Sequence, residues 1–287
     1  MLESARKKDD GTEMADMKTI GVLTPALDST TLSRIMTSLT SFLFEKGFEV
    51  MLFCTDHGKK ERTALKAVDE LGLDAAVVLA AGSEELYDLA LEVLDFPLVF
   101  VGKKVKNGYC ITYDDYMAGC AIGEYLTACG DFEDYLYIGM GNGKEAAGKT
   151  RLDGLRTALK AKGIDDFRYL RTDYTLEKAS DQIHAYLQKH IPEVIICGTD
   201  TLALACYKEL NNLGLRIPED VSVAGFGSHV VTEWMTPGLT MVRYPDEMAG
   251  YFAGDMVVKL LNGETVAKKD LVLDYQLIER ESVKTKK

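Results

Sequence analysis

Between Thr19 and Gly102 the chain alternates short apolar runs with longer segments of helical periodicity, and this alternation limits its possible folds more than any other feature. The runs are TIGVLTP (19–25), EVMLFC (49–54), AAVVLA (75–80) and PLVFVG (97–102). Each has strand length without polar–apolar alternation, as expected of strands covered on both faces. Between them, TLSRIMTSLTSFLFEKG, KERTALKAVDELG and SEELYDLALEVL repeat apolar residues at every third and fourth position. Two of these predicted helices stop at Gly47 and Gly72, the residue type that most readily ends a helix. Strand–helix–strand units of this kind impose a parallel sheet with right-handed crossovers.

The pattern reopens at YCITYDD (109–115) and runs on through strands at YLYIGM, FRYLRT, EVIICG and VSVAGF, with helices starting near Met117, Gly148, Leu176 and Thr201. Two α/β units in series predict two lobes, joined at Tyr113 to Tyr116. The repeat is read as one of architecture rather than of residue identity. Neither lobe needs, by count, the strand in LTMVRYP (239–245), the helix DEMAGYFAGDMVVKLLNG or the late strand in LVLDYQLIERESV, so these are expected to pass between the lobes. The expected boundaries are a leader or hinge remnant at 1–17, a first lobe at 18–112 plus 244–266, a second at 113–243 plus 267–281, and a tail at 282–287.

Composition narrows the function. With 287 residues, 47% hydrophobic and 27% charged, the chain is an ordinary globular protein, and a formal net charge of −12 argues against its gripping nucleic acid by itself. The basic segments ARKKDD and KTKK are short and terminal. Six cysteines (Cys54, Cys110, Cys120, Cys129, Cys197, Cys206) lack C-x-x-C pairing, and four histidines lack metal spacing, so buried thiols and no metal site are expected. The polar N-terminus has no signal-peptide core and no run is long enough to span a membrane, which points to the cytoplasm.

One motif points elsewhere. GMGNGKEAAGKTR (139–151) satisfies the phosphate-loop pattern through Gly143, Gly148, Lys149 and Thr150, so a nucleotide-binding enzyme is an alternative. Such a site also needs an acidic residue ending a hydrophobic strand to hold magnesium. VVLAAG and VSVAGFG end in small residues, and only IICGTD offers a carboxylate, Asp200. No nucleophile–base–orienter arrangement stands out either.

The stretch ICGTDTLALACYKELNNLGLRIPEDVSVAGFG, followed by TPGLTMVRYP, resembles the LacI/GalR family of bacterial transcriptional regulators. RLDGLRTAL (151–159) and ITYDDYMAG (111–119) fall in the same order and spacing, and the likeness runs from about Lys18 to Glu281. LDSTT (27–31) narrows it toward the trehalose and sucrose operon repressors, although Ala26 stands where the trehalose-phosphate regulators carry an arginine. The resemblance implies an α/β, periplasmic-binding-protein-like fold of type I: two Rossmann-like lobes with parallel sheets, joined by crossing strands and closing on a small carbohydrate. It implies a non-enzyme without a cofactor, working as a homodimer that meets operator DNA through a helix-turn-helix module, which the short leader has no room for. A transport sugar-binding protein shares the fold and is a further alternative, disfavoured by the missing signal sequence.

Within this frame the glycine-rich loop faces the cleft, where helix N-termini attract anions and hydroxyls. The resemblance places Arg151 against sugar hydroxyls, with Lys149 a second positive charge. Together they favour a carbohydrate carrying a phosphate, such as a phosphorylated disaccharide, over a neutral sugar. Asp28 and Ser29 either bind hydroxyls or cap a helix. The resemblance makes Asp114 a ligand contact and Tyr174 an aromatic on the sugar's apolar face. Thr199 and Asp200 reach the ligand or cap their helix, and Tyr244 lines the hinge side. Gly227 stands where the family commonly has an Asp, which would leave room for a larger or anionic ligand. His229 is an isolated histidine close by, and Trp234 belongs to a dimer interface or the core.

Overall fold

The computed structural model describes residues 17–27, 29–140, 146–172 and 175–286. In the first half, β1 (Thr19–Thr24), α1 (Thr30–Glu45), β2 (Glu49–Cys54), α2 (Glu61–Glu70), β3 (Ala75–Leu79), α3 (Glu84–Val93), β4 (Leu98–Val101) and β5 (Tyr109–Tyr113) follow the predicted alternation. Then come α4 (Asp115–Cys129), β6 (Tyr135–Met140), α5 (Ala146–Lys160), β7 (Arg168–Thr172), α6 (Leu176–Leu187), β8 (Val194–Cys197), α7 (Asp200–Asn212), β9 (Ser222–Gly227) and α8 (Val231–Trp234). The chain closes with β10 (Thr240–Arg243), α9 (Asp246–Leu261), β11 (Asp270–Leu273) and β12 (Gln276–Ile278).

Among the described residues the strands form two six-stranded sheets, ordered β11-β5-β4-β3-β1-β2 and β12-β10-β9-β8-β6-β7. Every pairing is parallel except β10 with β12. The fold is thus two α/β lobes of the type I binding-protein kind, and the chain passes between them after β5, after β10 and after β11. The central strands β3, β4 and β8 are buried along their whole length, because helices cover both faces. In the first lobe, Val22, Leu39, Leu43, Ala253 and Val257 fill one side of the sheet, and Leu23, Leu65, Val68, Tyr87 and Phe100 the other. Gly47 and Gly72 follow α1 and α2 with φ of 81° and 65°, so the left-handed turn that ends each helix is the one glycine makes without strain.

Two expectations are corrected. The late strand, assigned to the second lobe as part of 267–281, is split: β11 pairs with β5 in the first sheet, and only β12 joins the second. Edge pairing uses backbone hydrogen bonds that any sequence supplies, so apolar content could not assign β11 to a sheet. EVMLFC is not buried on both faces either. It is the edge strand β2, with Met51, Leu52 and Cys54 exposed. The other five cysteines are buried.

Helix packing positions the site. A Cβ at Gly119 would lie 2.0 Å from the Arg151 carbonyl oxygen, and one at Gly154 would lie 2.0 Å from that of Tyr116. α4 and α5 therefore touch backbone to backbone, which sets Arg151 beside the first turn of α4. In the first lobe α9 meets α1 the same way, with Gly250 against the Ile35 carbonyl at 2.2 Å for a Cβ.

Candidate functional site

Between the lobes lies a cavity of about 560 Å³, within the usual size range of small-molecule sites. Its walls are the amino ends of three helices: Ser29–Leu32 of α1, Thr175–Glu177 of α6 and Thr199–Thr201 of α7, with Pro25, Ala26 and His57 from the first lobe. Free backbone N–H groups at helix starts suit oxygen ligands, and six hydroxyl side chains surround them. Ser29 Oγ accepts from Leu32 N and Thr199 Oγ1 from Leu202 N, so each caps its own helix at the cavity wall.

His57 reaches the wall from a turn in which Asp56, His57 and Gly58 all have positive φ, at 50°, 54° and 84°. His57 N donates to Pro25 O at 2.8 Å, joining the turns that follow β1 and β2. Behind the turn, Glu61 is fully buried and accepts from Tyr87 Oη at 2.9 Å and from Ala81 N. Burial pushes its carboxyl above the ordinary value, against the lowering effect of those bonds and of Lys103.

On the second lobe, Asp200 is buried and takes N–H bonds from Thr201 at 2.8 Å, His229 at 3.0 Å and Ser228 at 3.3 Å. This corrects the reading of Gly227. The position is not open space: a Cβ there would lie 2.5 Å from Asp200 Oδ2, and the backbone φ is +155°. The Asp200 carboxylate fills the room that a side chain at 227 would occupy.

Arg151 is drawn inward. Its Nε and Nη2 donate to Asp115 Oδ1 at 2.9 and 2.7 Å, and Nη1 donates to the Gly198 carbonyl at 2.7 Å. The guanidinium lies between the rings of Phe226 and Tyr244, 4.7 and 4.9 Å from their centroids. Burial works against its charge, but Tyr244 and Asp115 outweigh it and raise its pKa further, so it is protonated throughout. Burial also raises the neighbouring Tyr137 to about 12.

Of the residues proposed from sequence, Ser29, Thr199 and Asp200 line the cavity. Arg151 and Tyr244 sit together around Asp115 and do not line the cavity. Asp114 caps α4 by accepting from Met117 N at 3.2 Å. Lys149 is exposed on α5 and does not line the cavity. Asp28 and Tyr174 lie outside the described residues, as does Gly143 of the phosphate-loop pattern, whose Gly148, Lys149 and Thr150 lie within α5. Trp234 is exposed on α8, not in the core. Sequence reasoning missed His57 and Asp115. The DHG turn signal marks the first, and a pattern shared by the two crossings, described below, marks the second.

A two-lobed α/β protein with a hydroxyl-lined cavity between its lobes is by architecture a small-molecule binding protein. The "periplasmic binding protein-like domain" family matches residues 124–283, and the chain belongs to that family. It is 24% identical to the HTH-type transcriptional regulator DegA of Bacillus subtilis over 271 residues, covering 92% of this chain and 80% of DegA. A LacI family transcriptional regulator from Enterococcus faecium with bound ribose superposes with a TM-score of 0.84 at 22% identity, over 94% of this chain and 100% of that one. A periplasmic binding protein/LacI transcriptional regulator from Alkaliphilus metalliredigens, complexed with D-xylulofuranose, gives 0.79 at 23% identity, over 93% and 99%. The LacI-type resemblance read from the motifs thus agrees with these relatives, which are named as transcriptional regulators. Among the described residues no helix is long and apolar enough to cross a membrane.

Proposed function

We propose that this chain is the effector-binding unit of a LacI-type transcriptional regulator, and that its effector is an unphosphorylated sugar held between the lobes. One observation carries the reading: three helix starts and their hydroxyls converge on one interlobe cavity, supplying many short-range donors and acceptors. The phosphorylated alternative weakens because the two cations it relied on are elsewhere. Lys149 lies outside the lining, and Arg151 already serves Asp115 and Gly198. The lining contributes the acids Glu177 and Asp200 and, among the described residues, no lysine or arginine. Ribose and D-xylulofuranose in the structural relatives are sugars of this uncharged kind.

Binding would favour one lobe angle and move the first-lobe surfaces of a homodimer relative to each other, altering the grip of helix-turn-helix modules on operator DNA in the cytoplasm. Apolar side chains left exposed on α1, β2 and α8, namely Phe44, Leu52 and Trp234, support such a dimer.

A thermal-shift screen of pentoses, hexoses, trehalose and sucrose, their phosphates, and ATP with magnesium tests this. An uncharged sugar at a thousandfold over its Kd should add about 4 kcal/mol of stability. Stabilisation by phosphorylated sugars alone would overturn the uncharged class, and stabilisation by ATP with magnesium alone would overturn the whole reading.

A further inference from the structure

The two long crossings between the lobes carry one sequence pattern. Tyr113-Asp114-Asp115-Tyr116-Met117-Ala118-Gly119 leads out of the first lobe, and Tyr244-Pro245-Asp246-Glu247-Met248-Ala249-Gly250 leads back, both reading Y-x-D-x-M-A-G. In each the Asp opens a helix and the Gly sits against another helix's backbone. The tyrosines exchange partners. Tyr113 Oη donates to Asp246 Oδ1 at 2.9 Å, Tyr244 Oη donates to Asp115 Oδ1 at 2.6 Å, and the rings lie 5.0 Å apart. The crossings are laced to each other by reciprocal bonds, and both carboxyl groups are buried.

Their charges are handled differently. Asp115 is paired with Arg151. Asp246 has Tyr113 from β5, Ser228 Oγ from the segment after β9 and, among the described residues, no cation in direct contact. Arg34 of α1 acts on it from a distance while bonded to Glu247 of α9, whose charge opposes. Burial pushes Asp246 up to about 6, against the lowering effect of Ser228, Tyr113 and Arg34. Its neighbours Tyr113 and Tyr244 are both raised well above the ordinary tyrosine value, first by burial, so they stay neutral donors.

We propose that the paired crossings form a proton-sensitive clasp on the lobe angle, in which Asp246 binds a proton more tightly in the present arrangement than when the lobes turn. Asp246 and Tyr113 stand at the ends of first-lobe elements whereas Ser228 follows β9 of the second lobe, so a change of lobe angle shears the Ser228 bond and admits water to the carboxyl. A wetted carboxyl ionises, and the free energy of that step is linked to the angle. Low pH holds the present arrangement and higher pH loosens it. The inference rests on the proposed reading in one respect, that the lobes change angle at these crossings when the effector site is used.

The test compares unliganded wild type with Asp246→Asn from pH 4.5 to 8, by denaturant unfolding and small-angle X-ray scattering. A carboxyl at about 6 in the fold and 3.8 when free stabilises the fold while protonated, and that stability is lost as pH rises through 6. The wild-type folding equilibrium should therefore fall roughly thirtyfold relative to the variant between pH 4.5 and 7.5, as those two values require. The scattering profile of wild type should change with a midpoint near pH 6, while that of the variant stays at its low-pH form. Identical pH dependence of the two proteins, or a wild-type scattering profile that does not move, overturns the clasp. If Asp246→Asn does not fold, Tyr113→Phe decides. Losing a bond that favours the ionised carboxylate should raise the midpoint, and an unchanged midpoint overturns the proposal. No effector enters these measurements, so they and the sugar screen can fail independently.

Discussion

The outward crossing at Tyr113–Asp115 and the return crossing at Tyr244–Asp246 share a pattern, a reciprocal tyrosine bond and a buried carboxyl, yet they neutralise that carboxyl by different means. Asp115 receives a guanidinium that is itself enclosed by two aromatic rings. Asp246 receives two hydroxyls and sits high enough to hold a proton in mildly acidic solution. An arginine ion pair is insensitive to pH across the physiological range, whereas a carboxyl near 6 is not. Repetition of a sequence pattern therefore does not repeat its electrostatics. What differs is the distant residue that the fold sets against each carboxyl, Arg151 in one case and Ser228 in the other.

The sharpest way to break the contrast is to remove the guanidinium. Arg151→Ala leaves Asp115 buried without its cation and should cost about 3–5 kcal/mol in denaturant unfolding. A loss under 1 kcal/mol would mean that the outward crossing is no better anchored than the return one. Next in size is the pair of tyrosines. Tyr244→Phe removes a donor from an ion-paired carboxylate and should cost about 2 kcal/mol, against about 1 kcal/mol for Tyr113→Phe below pH 5, where Asp246 carries its own proton. Equal costs at that pH would erase the distinction. The smallest effect concerns the variable position of the pattern. Asp114 caps α4, whereas Pro245 at the matching place offers α9 no side-chain cap. Asp114→Ala should lower stability by about 1 kcal/mol, and a neutral outcome would show that the outward helix starts as well without a cap as the return helix does.

The architecture was largely legible in the chain itself. Continuous apolar runs separated by helices of period three to four leave few alternatives to parallel α/β lobes, and Gly47 and Gly72 end their helices with the backbone angles that their lack of a Cβ allows. Hydroxyl-bearing residues just before helices, Ser29 and Thr199, were equally readable, since capping is a local interaction. The roles of Lys149 and Arg151 were not, because whether a cation meets a ligand or an internal carboxylate depends on what lies across a helix contact 36 residues away, as Arg151 and Asp115 do.

What the sequence determined by itself is therefore everything governed by short range: strand and helix identity, caps, turns, and the order of the lobes. Only the tertiary structure decided the rest: that β11 returns to the first sheet, that Asp200 fills the space beside Gly227, and that one of two matching aspartates pairs with arginine while the other is met by hydroxyls. The physical reason is the range of the interactions. Periodicity and capping act within a few residues of chain, whereas sheet-edge pairing, steric exclusion and the pairing of a buried charge are set by whichever distant segment the fold brings alongside.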